Sequence, residues 1–238
     1  MRPTAVIARK EFRSHVSSPA GYVFLTAFLV LTGWLFFRTF FLVGQASLRP
    51  FFSLMPWVFL FFVPAAAMRM WAEERKLGTD EILLTLPVRD GEVVMGKFLA
   101  GLAFLALAVG LTLPLPLTVA ALGDPDPGPI IGGYAGLLLL AAAYLSISLF
   151  ASSLSENQIV AFVVGTTMSF ALLVMGEDFV LVAVPRGLAP VLRYLGLGQH
   201  FRSTARGVID SRDIVYYLSV IGFFLYLNLK AVEARKWR

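Results

Sequence analysis

The sequence contains no cysteine and only two histidines, and each shortage removes a class of chemistry. Without cysteine there is no disulfide, no thiolate nucleophile and no cysteine-ligated metal. His15 and His200 lie far apart in the chain, too thin a basis for a metal site. Charge is scarce as well: 15% of the 238 residues are charged, against about 25% in ordinary soluble domains, while 58% are hydrophobic. A water-soluble core cannot absorb that much apolar surface, and a mean hydropathy of +0.78 points to a membrane protein. No Ser/Gly linker, charge block or low-complexity tract divides the chain, so residues 1–238 read as one membrane unit. No internal repeat is visible, which leaves the inverted-repeat architecture of many secondary transporters without support. Phe98–Gly123, Ile130–Ser155 and Asn157–Gly176 carry no Asp, Glu, Lys, Arg or His. Ion relays through a bilayer need such groups, so this absence counts against an ion-coupled pump.

What is present is apolar length. A membrane helix needs about 20 predominantly apolar residues to cover about 30 Å of hydrocarbon. By that measure six spans are expected, at Tyr22–Val43, Phe51–Met70, Val93–Leu122, Ile130–Phe150, Ile159–Val180 and Ile214–Leu229. Their Leu, Phe, Ala and Val content favours helices over a β-barrel, whose strands alternate polar and apolar residues. The fold class expected is all-α integral membrane. The basic segment Arg2–Arg13 leads into an apolar run too long for a signal peptide, so the first span is expected to be retained.

The net charge of +5 would suit a nucleic-acid partner in a soluble protein, but the basic residues fall mostly between apolar runs. There they orient a membrane protein, and no nucleic acid is expected. With an even number of spans both termini share a side, together with the second-to-third and fourth-to-fifth connections. That side collects more Lys and Arg than the other, so both termini are expected in the cytoplasm and the chain in the cytoplasmic (inner) membrane. Arg49, Arg186, Arg193, Arg202, Arg206 and Arg212 fall on the opposite side. In segment 185–213, Leu188, Val191, Leu192 and Leu195 recur at helical spacing, which predicts a short amphipathic helix at the outer interface with arginines reaching toward headgroups. Arg38, near the outer end of the first span, is expected to snorkel.

Several stretches carry more specific expectations. GEVVMGKF (Gly91–Phe98) spells G-x-x-x-x-G-K, but Phe98 stands where a P-loop needs a hydroxyl for Mg²⁺, so the chain is not expected to bind a nucleotide. Asp90 is instead expected to cap a helix, Gly96 to allow a close approach and Lys97 to snorkel at the cytoplasmic interface. The connection 72–92 is much longer than a turn requires. Thr79 can cap a short helix there, Asp80 and Glu81 occupy its first turn, and Pro87 stops it. Ile82, Leu83, Leu84 and Leu86 then form an apolar ridge that either docks onto a partner or packs back on the bundle. The leader TAVIARKEFRSHVSSP forms a helix with Ala5, Ala8, Phe12 and Val16 on one face and Arg9, Lys10 and Arg13 beside it, and Pro19 ends it. It either lies on the anionic leaflet or serves as a basic leader that sets orientation. Pro114 and Pro116 are expected to bend the third span. Glu177 and Asp178 are either interfacial or line an exit.

The order of elements resembles the ABC-2 type permeases: a basic leader, two spans, the loop EERKLGTDEILLTLPVRDGEVVMGK, then four more spans. The stretches KEFRSHVSSPAGYV, SSLSENQIVAF and HFRSTARGVIDSRDIVYYLSV make it most similar to the gliding-motility branch. The resemblance implies a non-catalytic permease subunit with no cofactor of its own, paired with a second permease. ATP and Mg²⁺ would sit on a separate P-loop ATPase. It implies a coupling segment at Glu73, Glu74, Gly78, Thr79, Asp80, Glu81, Leu83, Leu84 and Pro87. A second cytoplasmic contact is implied at Ser152–Gln158, with Glu156 and Asn157. An elbow helix (1–18) would include Arg9, Lys10, Phe12 and Arg13, and external helices at 185–213 would close the path. Two other readings are an ATP-independent scaffold or carrier, and a membrane enzyme. The enzyme would need a polar cluster at membrane depth, and the scattered Ser and Thr have no base near them in sequence.

Overall fold

A computed structural model describes residues 3–79, 88–185, 187–208 and 210–235, and every regular element among them is helical. In chain order these are α1 (Pro3–Ser17), α2 (Pro19–Val43), α3 (Arg49–Ala67), α4 (Arg69–Leu77), α5 (Asp90–Gly110), α6 (Pro114–Leu122), α7 (Pro127–Leu154), α8 (Gln158–Val174), α9 (Asp178–Val182), α10 (Ala189–Leu195), α11 (Leu197–Ala205) and α12 (Ser211–Glu233). Five segments are long and apolar enough to cross a membrane: α2, α3 with α4, α5 with α6, α7 and α12.

The segment expected as a span at Ile159–Val180 is shorter than anticipated. Its helix α8 has 17 residues, about 26 Å at 1.5 Å per residue, and ends at Val174. Tertiary contact explains the stop. A Cβ on Gly176 would lie 3.0 Å from the Cα of Gly196, and the Gln199 amide donates to the Gly176 carbonyl. Gly176 thus carries the crossing of another strand of chain instead of another helical turn.

Helix α7 is the axis of the bundle, with 78% of its most apolar window buried, and α3, α5, α8, α11 and α12 all pack on it. Its small residues make this possible, because helices in lipid associate through close backbone approach. A Cβ on Gly133 would collide with the Phe52 ring, and one on Gly136 with the Thr204 hydroxyl. Aromatic pairs fill the seam between α2 and α3, among them Phe24 with Phe62 and Phe28 with Phe59. The expected bend in the third span falls at residues 111–113, between α5 and α6. There the Tyr134 hydroxyl donates to the Thr112 carbonyl, which Pro116 cannot serve, and the Thr112 hydroxyl donates to the Val109 carbonyl.

The leader is helical as expected, with Ala8, Phe12 and Val16 of the expected face partly covered, but its one buried residue lies beside that face. Thr4, Ile7 and His15 are partly covered and Glu11 is buried, whereas Ala5 is exposed. The reason is α5: α1 lies against it where Gly96 has no side chain, and a Cβ there would stand 2.7 Å from the Ile7 side chain. Packing of α1 against α5 buries Glu11 and partly covers Thr4 and Ile7. At the other end of the bundle, α10 buries none of its residues, and Leu188 and Val191 are exposed. Neighbouring α11 instead packs into the bundle through Leu197, Phe201 and Thr204. Arg38 places its guanidinium over the Trp34 ring, 5.6 Å from its centre.

Candidate functional site

The break between α3 and α4 at Met68 builds the most unusual polar group in the bundle. A helix that breaks near a membrane boundary leaves carbonyls and N–H groups unpaired, and each must find a partner. Ser152, near the end of α7, supplies three bonds. Its hydroxyl donates to the Met68 carbonyl at 2.9 Å and accepts from the N–H groups of Trp71 and Ala72, each at 3.2 Å. Lys97, on the second turn of α5, supplies the next: its ammonium donates to the Met70 carbonyl at 2.8 Å.

Lys97 does not snorkel. Its side chain is wholly buried, and its remaining donors meet Glu74 Oε1 at 2.8 Å and Glu11 Oε1 at 3.4 Å. The Trp71 ring covers the ammonium at 4.9 Å. An ammonium has three donors, and here all three are used. One side chain therefore ties the leader helix α1, the helix entering the 72–92 connection (α4) and the helix leaving it (α5). A cavity of about 310 Å³ opens beside this cluster, with Lys10, Glu11, His15, Arg69 and Glu73 in its wall.

Of the other predicted coupling residues, Glu73, Gly78 and Thr79 lie on or just past α4. Glu73 forms a two-pronged pair with Arg69 one turn back, at 2.7 and 2.9 Å. Gly78 ends α4 in the left-handed region (φ +68), and the exposed Thr79 donates to the Glu74 carbonyl at 3.3 Å. Asp80, Glu81, Leu83, Leu84 and Pro87 lie outside the described residues, as do Ile82 and Leu86 of the ridge. The cap of α5 differs from expectation: Asp90 is already helical, and Glu92 reaches back to accept from the Arg89 N–H at 3.0 Å. A glutamate at the third position suits that reach better than an aspartate inside the first turn.

Glu156 and Asn157 belong to the same end of the bundle. Asn157 caps α8 by accepting from the Ile159 N–H, and Glu156 pairs with Arg235 beyond the end of α12 at 3.3 Å. In α1, Arg9, Lys10 and Arg13 are exposed and Phe12 is half-buried. Glu177 and Asp178 sit at the opposite end, past the C-terminus of α8, paired with Arg202 at 2.8 Å and Arg193 at 3.6 Å. Of these residues, Lys10, Glu73 and Glu74 share the wall of one cavity, while Glu177 and Asp178 stand at the other end of α8 from Asn157.

Sequence reasoning missed Glu11 and the role of Lys97. The available signal was weak: Glu11 continues the Thr4–Ile7 register at helical spacing, and Lys97 directly precedes a charge-free run. It also missed the group around His200, where Nδ1 meets Asp213 at 2.7 Å, Nε2 meets the Tyr194 carbonyl at 2.8 Å, and the ring stacks on Tyr216. This group fastens α11 to the start of α12. Among the described residues no group of three or more His, Asp or Glu could hold a metal.

The sequence model described as ABC-2 family transporter protein matches residues 16–197, well over half of the chain. The chain belongs to the ABC-2 transporter family. Comparison with curated proteins finds no match. An ABC-2 membrane protein is in general the permease part of an ATP-binding-cassette transporter, typically a non-catalytic subunit that works with an ATPase subunit. The matched region includes the end of α1, the Met68 break, Glu74, Lys97 and Ser152, while Glu11 precedes it.

Proposed function

We propose that this chain is the permease subunit that moves a substrate across the cytoplasmic membrane by alternating access, driven by a separate P-loop ATPase. Two permease subunits, identical or different, form the path. Both termini are cytoplasmic, and connection 72–92 is the handle on which the ATPase acts. Within the family we place it nearest the gliding-motility branch, on the stretches quoted above.

The single observation that carries this reading is the Lys97 cluster within an ABC-2 domain. A handle transmits force only if its two ends are held together, and α4 and α5 are joined directly beneath it by a buried ammonium. Displacing the handle then displaces α3 and α5 with it. ATP can shift the equilibrium between two arrangements only through different affinity for them, which requires such a rigid link.

The test is affinity purification of the tagged chain in mild detergent from its native host, with and without Leu84→Asp. The expected result is recovery of a P-loop ATPase with the parent chain and its loss with Leu84→Asp, with ATP turnover in liposomes falling in parallel. Recovery of the parent chain with no nucleotide-binding protein favours the ATP-independent scaffold instead.

A further inference from the structure

At the end of the bundle opposite Lys97, a groove of about 660 Å³ runs between the start of α3, the end of α8 and α11. Four arginines line it, Arg49, Arg193, Arg202 and Arg206, against two carboxylates, Glu177 and Asp178. Arg202 is committed to Glu177, and Arg193 pairs loosely with Asp178, both side chains being mostly exposed. Arg49 and Arg206 have no carboxylate partner among the described residues; Arg206 donates only to the Arg202 carbonyl. These arginines sit on the side where the distribution of Lys and Arg runs against positive charge. Arg49 is far from the others in sequence, yet the fold delivers it to the same groove.

The groove has the polarity gradient of a lipid. Its lining joins the arginines to the buried Leu173 and Phe201 and to Trp57 on α3. Trp57 lies two turns below Arg49, about 12 Å along α3. The uncovered stripe continues downward through Phe61, with Trp57 43% and Phe61 54% exposed. Guanidinium groups recognise phosphate in paired fashion.

We infer that this groove is a binding site for an anionic phospholipid, its phosphate held by Arg49 and Arg206 and one acyl chain lying along Trp57 and Phe61. The site rests on the bundle spanning a bilayer and not on the ATPase partnership, so it stands or falls separately from the proposed transport role.

The test uses the full chain alone in phosphatidylcholine nanodiscs containing a minor fraction of phosphatidylglycerol. Either lipid is brominated on its acyl chains, at matched bromine content. Quenching specific to Trp57 is the difference between the parent and Trp57→Phe. Brominated phosphatidylglycerol is expected to quench Trp57 several-fold more than brominated phosphatidylcholine. The Arg49→Gln/Arg206→Gln variant loses that preference, and Arg49→Lys/Arg206→Lys keeps it. Equal quenching by both lipids overturns the site, as does a preference that survives in the glutamine variant. Absence of quenching by either lipid shows the groove covered by a second copy or another protein and also overturns it. If inorganic phosphate abolishes the preference, the groove is a site for a free oxyanion and the lipid assignment fails.

Discussion

Lys97 is the residue whose environment departs furthest from its chemistry, since a buried charge survives only when paired and fully hydrogen-bonded. Replacing it with Met leaves Glu74 and Glu11 facing each other with no cation between them. Breaking a buried pair in this way costs about 3–5 kcal/mol. Lys97→Met is therefore expected to lower the unfolding temperature in detergent markedly, while Lys76→Met, on the exposed last turn of α4, leaves it nearly unchanged. Equal shifts for the two would show that the cluster contributes no stability. Ser152 acts on the same break through three hydrogen bonds, so Ser152→Ala exposes two backbone donors and one acceptor to an apolar interior. A smaller loss than for Lys97→Met is expected, because hydrogen bonds between neutral groups are weaker. The reading of Lys97 as an interfacial side chain erred because its partners are brought by other helices: Glu11 stands 86 positions away.

At the scale of the element, glycines decide which helices touch. Gly96 lets α1 lie on α5, and any larger residue must push Ile7 aside. Gly96→Leu is expected to lift α1 from α5, at a cost of about 1–3 kcal/mol for overpacking. The sequence has no cysteine, so a single Thr4→Cys, which keeps Ile7 in place, reports this directly: slow thiol labelling in the parent background and fast labelling with Gly96→Leu. Unchanged labelling would mean that α1 is held by the Lys97–Glu11 contact alone. The break in the third span was legible from Pro114 and Pro116, and α10, though not α11, from the Leu188–Leu195 periodicity. The early end of α8 at Val174 was legible only in part, because Gly176, Glu177 and Asp178 follow it but were read as the outer end of the span. The crossing of Gly176 by Gly196 marks it.

At the scale of the whole molecule, the bundle carries two charged ends of different design. One is a closed knot, with its cation surrounded by carboxylates and carbonyls. The other is an open groove in which arginines outnumber carboxylates. The proposed topology puts the knot in the cytoplasm and the groove outside. Leu77 and Val208 are both exposed and lie at these opposite ends. In right-side-out vesicles a membrane-impermeant maleimide is expected to label Val208→Cys at once and Leu77→Cys only after permeabilisation. Reversed labelling would place the handle outside and remove the basis for an ATPase docking there.

The amino-acid sequence by itself determined the membrane class, the helical content, the approximate position of the apolar segments and the prolines that interrupt them. These depend on sums over neighbouring residues, and hydrophobic transfer adds along the chain. Tertiary structure alone decided that Lys97 is buried, that Glu11 faces inward, that α8 stops at Val174, and that Arg49 joins Arg202 and Arg206. Each of these depends on which helix lies beside which. A close approach or an ion pair exists only between partners that the packing around α7 has already made neighbours.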